Sequence, residues 1–157
     1  LVSFEREWPA DVRAQIGKPY VGRMRIGGIK LTIDGSPQGR TAWLHDPVPV
    51  PPEGKDASYH GYPAIDITLF NTKLAEAGTN NWQVFVHVNG DEAMQALIDG
   101  VRTNGLPGKR TVAIHSQVVR REQLEDMKKL DIHSFEIVFT GAQHLAEPTR
   151  VVRTRLF

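Results

Sequence analysis

Two histidines, His87 and His115, stand near the ends of apolar stretches with the alternation of β-strands, and Lys30 has the same place in an earlier stretch. In parallel strands these three side chains would converge at the carboxyl edge of the sheet, where barrel enzymes have their active sites. Neutral imidazole nitrogen is a good ligand for zinc and related metals. Taken singly, a strand histidine is more often structural and such a lysine more often solvated. Together they indicate one shared metal or substrate site.

The elements that must position these residues alternate between strand and helix. Apolar residues repeat every second position in the strands and at helical spacing in the helices. The pattern predicts strands at 25–33, 82–88, 110–116 and 132–139. It predicts helices at 9–16, 66–77, 91–101 and 120–130. Asp66 is a good helix cap and Gly78 a good helix stop. This alternation predicts an α/β fold with parallel strands and right-handed crossovers.

The two faces of the predicted strands differ in polarity. One face of the second strand is apolar, with Val84, Val86 and Val88. An open sheet covered by helices on both sides needs two apolar faces. The opposite face is instead mostly polar, and includes Lys30, Thr32, Gln83, His87, Asn89, Thr111 and His115. A (β/α)-barrel interior or a buried polar site explains this polarity better than an open sheet does.

Composition excludes several other classes of protein. The net charge is only +1, so general binding of nucleic acid is not expected. No apolar run approaches the ~20 residues that span a bilayer, so no membrane contact is expected. There is no Cys, which excludes disulfides and thiolate sites. A length of 157 residues fits a single domain, and we expect a cytoplasmic protein.

Three motifs resemble the metal-dependent amidohydrolase superfamily, most closely its amidohydrolase-3 type. They are residues 30–42 (KLTIDGSPQGRTA), 87–91 (HVNGD) and 110–117 (RTVAIHSQ). Their order and spacing match from about residue 24 to residue 132. The resemblance implies a TIM barrel that binds one or two divalent metals, usually zinc, and hydrolyses C–N bonds of a small molecule. The metal would lower the pKa of a water and polarise the scissile carbonyl.

The resemblance also implies roles for particular residues. His87 and His115 look like the metal-ligating histidines at the ends of the fifth and sixth strands. Lys30 looks like the fourth-strand residue, which is carbamylated in binuclear relatives and bridges both metals. Lys30 and Asp91 are the candidate catalytic residues. For Asp91, a role as a helix cap is at least as good an interpretation.

The turn that follows the first predicted strand and the end of the second supply candidate pocket residues. Asp34, Arg40 and Asn89 are the candidates for lining a substrate pocket. Asn89 and Asp91 would also orient His87 from behind. The alternative for Arg40 is a tight turn with a solvated side chain. Residues 45–63 are rich in proline and are expected to form an extended surface loop.

The sequence departs from the superfamily in its ligand set and its length. No two histidines are separated by one residue, so the first-strand His-x-His pair is absent, and so is a late Asp. A complete barrel needs roughly 250 residues, so we expect a half barrel of about four strands, as in a truncated gene. Enzyme activity is therefore uncertain. The alternative is a non-enzymatic binding module, and unpaired strand edges favour a homodimer.

The carboxyl terminus departs as well. The superfamily continues into a strand ending in a Phe-Tyr-Trp-Gly type of motif, whereas residues 138–141 are Val-Phe-Thr-Gly. A frameshift near residue 135 would explain this, because codons for Val-Phe-Thr-Gly can encode Phe-Tyr-Trp in a shifted frame. The divergent tail, about residues 140–157, contains Arg150, Arg153 and Arg155, which are either solvated or bind an acidic partner.

Overall fold

The computed structural model describes residues 2–3, by their backbone alone, and 8–135. One sheet of five parallel strands, in the order β1 to β5, alternates with four helices. The strands are β1 (Val2–Ser3), β2 (Ile29–Thr32), β3 (Val84–Val88), β4 (Val112–His115) and β5 (His133–Phe135). The helices are α1 (Ala10–Gln15), α2 (Ile67–Asn80), α3 (Asp91–Thr103) and α4 (Arg121–Lys129).

The predicted α/β fold, a part of a TIM-type (β/α) barrel, is confirmed. The four predicted strands correspond to β2, β3, β4 and β5, and β1 adds a short strand that the sequence did not indicate. The end of the last predicted strand, residues 136–139, and the arginine-rich tail lie outside the described residues. Within the described part of the chain, no helix is long and apolar enough to cross a bilayer.

The core lies between the sheet and the helices. Every second residue of β2 and β3 points into it, and helical residues three and four positions apart meet them from the other side. Burial of this apolar surface is the main stabilising term of the fold. The fully buried members include Ile29, Leu31, Val84, Val86, Val88, Phe70, Leu74, Met94, Leu97, Ile98 and Val101.

Helix α2 begins where it was predicted to begin but ends later. Asp66 is its N-cap, and its carboxylate accepts the Leu69 N–H at 2.9 Å. Gly78 does not stop the helix, because the left-handed residue that does so is Asn81, with φ 56°. Gly78 instead allows a close approach, since a Cβ there would overlap the Asn104 carbonyl. The prediction of a glycine stop was therefore wrong.

The alternation of the sequence predicts Val112 and Ile114 on the core face of β4, with Thr111, Ala113 and His115 on the other, and the structure shows the reverse for residues 111–114. Ala113 is fully buried against the helices. Val112 pairs with Phe85 and faces the opposite side of the sheet, as does Ile114, which pairs with His87. Thr111 does not belong to the polar face either, because it is 1% exposed. The prediction failed here because the inner face is apolar at the amino end of the strands.

That apolar part of the inner face forms a cavity of about 410 Å³. Phe85, Val112 and Ile114 line it, and Phe135 at its rim is 46% exposed. The helices therefore cover only one side of the described sheet. This one-sided cover is the arrangement of a barrel wall, whose inner face packs against other strands of the same barrel.

A long loop connects β2 to α2, and we call its residues 34–63 the excursion. Its two ends are held together, because the Ala64 N–H donates to the Ile33 carbonyl at 2.8 Å. Within it, Leu44 bonds to His60 at 2.7 Å and Val48 to Tyr59 at 2.8 Å. The predicted surface loop at 45–63 is therefore a folded excursion held by its own backbone hydrogen bonds.

Candidate metal-binding site

The rings of His87 and His115 lie beside each other at the carboxyl end of the sheet. Their centroids are 4.8 Å apart and their planes are inclined by 75°. Neighbouring parallel strands, β3 and β4, bring them together. Two imidazoles at this spacing form a nitrogen donor pair of the kind that zinc and related metals prefer.

His115 does not reach this position by regular strand alternation. In the register of the sheet it pairs with Val88, whose side chain points into the core. The backbone at His115 and at Ser116 is left-handed, with φ values of 79° and 49°. This conformation is uncommon for residues other than glycine, and it turns the ring toward His87. The change in backbone, rather than the period of the strand, therefore places His115 in the site.

His87 is held from behind by the carbonyl of Gly35. His87 Nε2 lies 2.9 Å from that oxygen. Asn89 Nδ2 donates to the same oxygen at 2.7 Å and lies 3.1 Å from His87 Nε2. Because a carbonyl can only accept, the contact with Gly35 assigns the proton of a neutral His87 ring to Nε2, and Asn89 Nδ2, itself a donor, then makes no hydrogen bond to that nitrogen. Nδ1 of His87, which has no hydrogen-bond partner among the described residues, then presents a free lone pair.

Asp34 ties the start of the excursion to the end of β3. Its side chain is buried and accepts three backbone N–H groups, from Trp43 at 3.0 Å, Asn89 at 2.9 Å and Gly90 at 2.7 Å. Burial raises the pKa of Asp34, and the three hydrogen bonds oppose that rise. Asp34 Oδ1 is also 4.0 Å from His87 Nε2. Its contacts support the wall of the site and leave it no free oxygen for substrate.

The electrostatic setting keeps His115 uncharged. Burial, then the neighbouring His87, then Lys30 lower the pKa of His115. Neutral imidazole is the form that binds metal. Lys30 lies on the same face of the sheet, paired with Phe85, and its Nζ donates to the Leu31 carbonyl at 2.9 Å. The structure thus brings His87, His115 and Lys30 to one edge of the sheet.

Asp91 and Arg40 have their contacts elsewhere. Asp91 is the first residue of α3, after the N-cap Gly90, and its carboxylate accepts the His45 N–H at 2.9 Å. Arg40 is exposed in a turn with φ 55°, and its guanidinium donates to the Pro51 carbonyl at 3.3 Å. Arg40 therefore fits its stated alternative, a solvated side chain in a tight turn. Asp91 is not the helix cap that was its alternative, because Gly90 is the N-cap and Asp91 follows it.

The donors present fit part of a metal site. Nδ1 of His87 and both ring nitrogens of His115 have no hydrogen-bond partner within residues 8–135. In that part of the chain, however, no group of three His, Cys, Asp or Glu side chains is arranged to hold an ion. Lys30 would complete a set of three only after carbamylation, which turns its amine into a carboxylate-like oxygen donor. The two histidines are therefore one side of a site.

Sequence reasoning included Gly35 only within the loop 35–41 that would shape the pocket, and it gave no role to Ser116. Gly35 supplies the carbonyl behind His87, and a Cβ there would overlap Thr41, so only glycine allows the turn to close. The glycine of the turn was a usable signal. Ser116 has the left-handed backbone that turns His115. No signal in its residue type marks that conformation, because serine is not a typical left-handed residue.

A parallel sheet with helices on one side is the architecture of part of a (β/α)-barrel. The profile of the Amidohydrolase family matches residues 5–149. The chain belongs to that family. The match includes β2, β3 and β4 and extends beyond residues 24–132 at both ends.

Individual relatives agree with this assignment. YtcJ of Bacillus subtilis (strain 168), whose name classes it with the amidohydrolases, is 27% identical over 119 residues, which are 75% of this chain and 21% of YtcJ. The crystal structure of an uncharacterised metal-dependent hydrolase from Pyrococcus horikoshii OT3 matches with 29% identity and a TM-score of 0.64 over 78% of this chain. Another, from Pyrococcus furiosus, has 27% identity and the same TM-score. The chain spans about a quarter of the length of each archaeal protein.

Proposed function

We propose that this chain supplies one side of the active site of a metal-dependent amidohydrolase, with His87 and His115 as metal ligands and zinc as the metal. The observation that supports this most directly is the ring pair, 4.8 Å apart, in which unbonded nitrogens remain on both rings. The reaction would be hydrolysis of a C–N bond in a small molecule. A divalent metal bound there supplies an acidified water and a polarised carbonyl.

The residues of this chain have separate roles in that proposal. The Gly35 carbonyl fixes the ring of His87 with its proton on Nε2, so that Nδ1 is the donor atom, and Asn89 donates to the same carbonyl. The lowered pKa of His115 keeps its ring neutral and ready to bind. Lys30, on the same edge, is the candidate third ligand after carbamylation. Asp34 holds the turn that presents the Gly35 carbonyl.

Zinc binding tests the site directly. We expect calorimetric titration of the 157-residue chain to show weak zinc binding that His87→Ala and His115→Ala each reduce by about tenfold or more. His45→Ala is the matched control, because His45 lies on the surface beside Glu92 and away from the ring pair. Equal affinity in His87→Ala, His115→Ala and the control would overturn the assignment.

Catalytic turnover by the isolated chain is a separate question from zinc binding. A catalytic zinc usually has three protein ligands and one water, and this chain offers two histidines and Lys30. We therefore expect no hydrolysis of a panel of amides and cyclic ureas above background by the isolated chain, with zinc or with manganese. Metal-dependent hydrolysis that disappears in both histidine variants would contradict this expectation and make the isolated chain an enzyme.

The second candidate function is a non-enzymatic module that assembles through its inner face. The apolar cavity beside Phe85, Val112 and Ile114, with Phe135 exposed at its rim, is the observation that favours it. Large exposed apolar surface tends to be buried by association, and a two-fold dimer is the commonest solution. Analytical ultracentrifugation separates the cases, since a folded 17.5 kDa monomer at low concentration would exclude this dimer.

A further inference from the structure

An exposed loop with a tight turn at its tip lies between α1 and β2, and we call residues 17–25 the arm. All nine of its residues are exposed. Its base is closed by the Gly17 N–H, which bonds to the Ile26 carbonyl at 2.8 Å. Its tip is closed by paired bonds between Val21 and Met24, at 2.9 and 3.2 Å. Gly22, with φ 61°, allows the two-residue turn between them.

The arm presents three large apolar side chains to solvent. Val21 is 81% exposed, Met24 72% and Tyr20 66%, and these are the most exposed large apolar side chains of the described residues. Val21 and Met24 pair across the turn. The Arg25 guanidinium lies 5.5 Å from the ring centroid of Tyr20.

The charge of the arm has a single sign. Lys18, Arg23 and Arg25 are exposed cations, and residues 12–33 contain no Asp or Glu at all. In a chain with a net charge of only +1, this is a local concentration of positive charge. A second copy of the same arm would be repelled by it. Charge complementarity therefore requires an anionic partner.

We propose that the arm binds the surface of an anionic lipid membrane. The arm combines exposed apolar side chains with positive charge, and an anionic lipid interface offers both an apolar phase and phosphate groups to meet them. Tyrosine is favoured at that interface, and long cationic side chains reach back to the phosphates while their stems stay in apolar surroundings. Arg23 lies within the turn itself, so the tip enters only to the level of the headgroups.

No membrane contact was predicted, because no apolar run is long enough to span a bilayer. A contact at the arm does not need such a run. A peripheral contact needs only a few apolar side chains and several cations near anionic lipid. Nucleic acid is a poorer fit to the arm, because Tyr20 is its one aromatic residue and Arg25 already covers that ring. Binding of single strands depends on several stacking side chains. The proposal does not depend on the metal site.

Cosedimentation with vesicles tests the proposal on the 157-residue chain. We expect binding to phosphatidylcholine vesicles that contain phosphatidylserine, weak binding without it, and loss at high salt because surface charges are screened. The double variant Val21→Ser/Met24→Ser and the double variant Arg23→Gln/Arg25→Gln should each weaken binding by about tenfold. Val50→Ser/Lys55→Gln is the matched control, since Val50 is 63% exposed in the excursion.

Each other outcome contradicts the proposal. Equal binding by the arm variants and the control would place the contact elsewhere on the chain. Equal binding to vesicles with and without phosphatidylserine would remove the role of charge. Binding to single-stranded DNA but not to vesicles would replace the membrane by nucleic acid. Circular dichroism of every variant identifies losses that come from unfolding, and the exposed position of the arm makes such losses unexpected.

Discussion

His87 and His115 face each other across the site, but the chain holds them in different ways. His87 lies in a regular strand, and the Gly35 carbonyl, Asn89 and Asp34 support it from behind. The ring of His115 has no hydrogen bond to the described residues and owes its direction to two left-handed backbone positions. One ring is fixed by a polar network, and the other by the path of the main chain.

The difference indicates that two ligands of one proposed site need a supporting hydrogen-bond network on only one side. A network of buried hydrogen bonds is costly to disturb, because each unpaired group loses its solvation. A left-handed residue stores strain that its surroundings must offset. Substitutions on the His87 side should therefore act mainly on stability, and substitutions beside His115 mainly on the direction of one ring.

The largest effect is expected from Asp34→Ala. The change leaves three backbone N–H groups unpaired in a buried place, although the cost of burying the carboxylate, visible in its raised pKa, offsets part of the loss. We expect the free energy of unfolding in urea to fall by about 3 kcal/mol. Asp46→Ala, at an exposed position of the excursion, is the control and should change little. A loss no larger than that of the control would show that the network is not needed.

Ser116→Val should act on the other side of the comparison. A β-branched residue at φ 49° is strongly disfavoured, so we expect a loss of about 2 kcal/mol. The ring of His115 should also move away from His87, which NMR contacts between the two rings would detect. Ser116→Gly is the matched variant and should keep those contacts, because glycine accepts the conformation and the hydroxyl has no partner within the described chain. Contacts that persist in Ser116→Val would show that the backbone does not direct the ring.

Asn89→Ala should have a moderate effect. It removes the 2.7 Å bond to the Gly35 carbonyl but leaves the bond from His87 in place. We expect a loss of about 1 kcal/mol in unfolding free energy. Zinc affinity should fall by about tenfold, since the Gly35 carbonyl that orients His87 is then held by one donor fewer. Unchanged zinc affinity in a folded variant would limit Asn89 to a packing role.

The smallest effect concerns pH. The folded protein holds the pKa of His115 below its ordinary value of 6.5, chiefly through burial. As the pH falls below 6.5, His115 becomes protonated in the unfolded chain but stays neutral in the folded protein. The free energy of unfolding therefore declines until the pH reaches the lower pKa of the folded state. NMR titration should place the midpoint of His115 below 6.5. His115→Asn should lose this part of the pH dependence, and an unchanged slope would contradict the explanation.

The sequence predicts the His87 side of the site better than the His115 side. Regular alternation over Val84 to Val88 places His87 correctly, and the turn at Asp34 and Gly35 is visible from its residue types. For β4 the alternation of Val112 and Ile114 gave the wrong face, because both sides of this strand carry apolar residues. His115 still lies beside His87, because the left-handed backbone at His115 and Ser116 turns its ring to that face. Positive φ at His and Ser is set by tertiary contacts and cannot be read from the sequence.

The closed base of the excursion has a consequence for how such chains can vary. The Ile33 carbonyl and the Ala64 N–H meet in one hydrogen bond, so about thirty residues begin and end at nearly the same point. The entropy of closing a loop grows only logarithmically with its length, and doubling it costs about 0.6 kcal/mol. Insertions or deletions near its proline-rich tip would therefore leave the ends, and the Asp34 contacts beside them, almost unaffected. The excursion is a position where evolution, or a designer, can change length and surface without rebuilding the barrel wall.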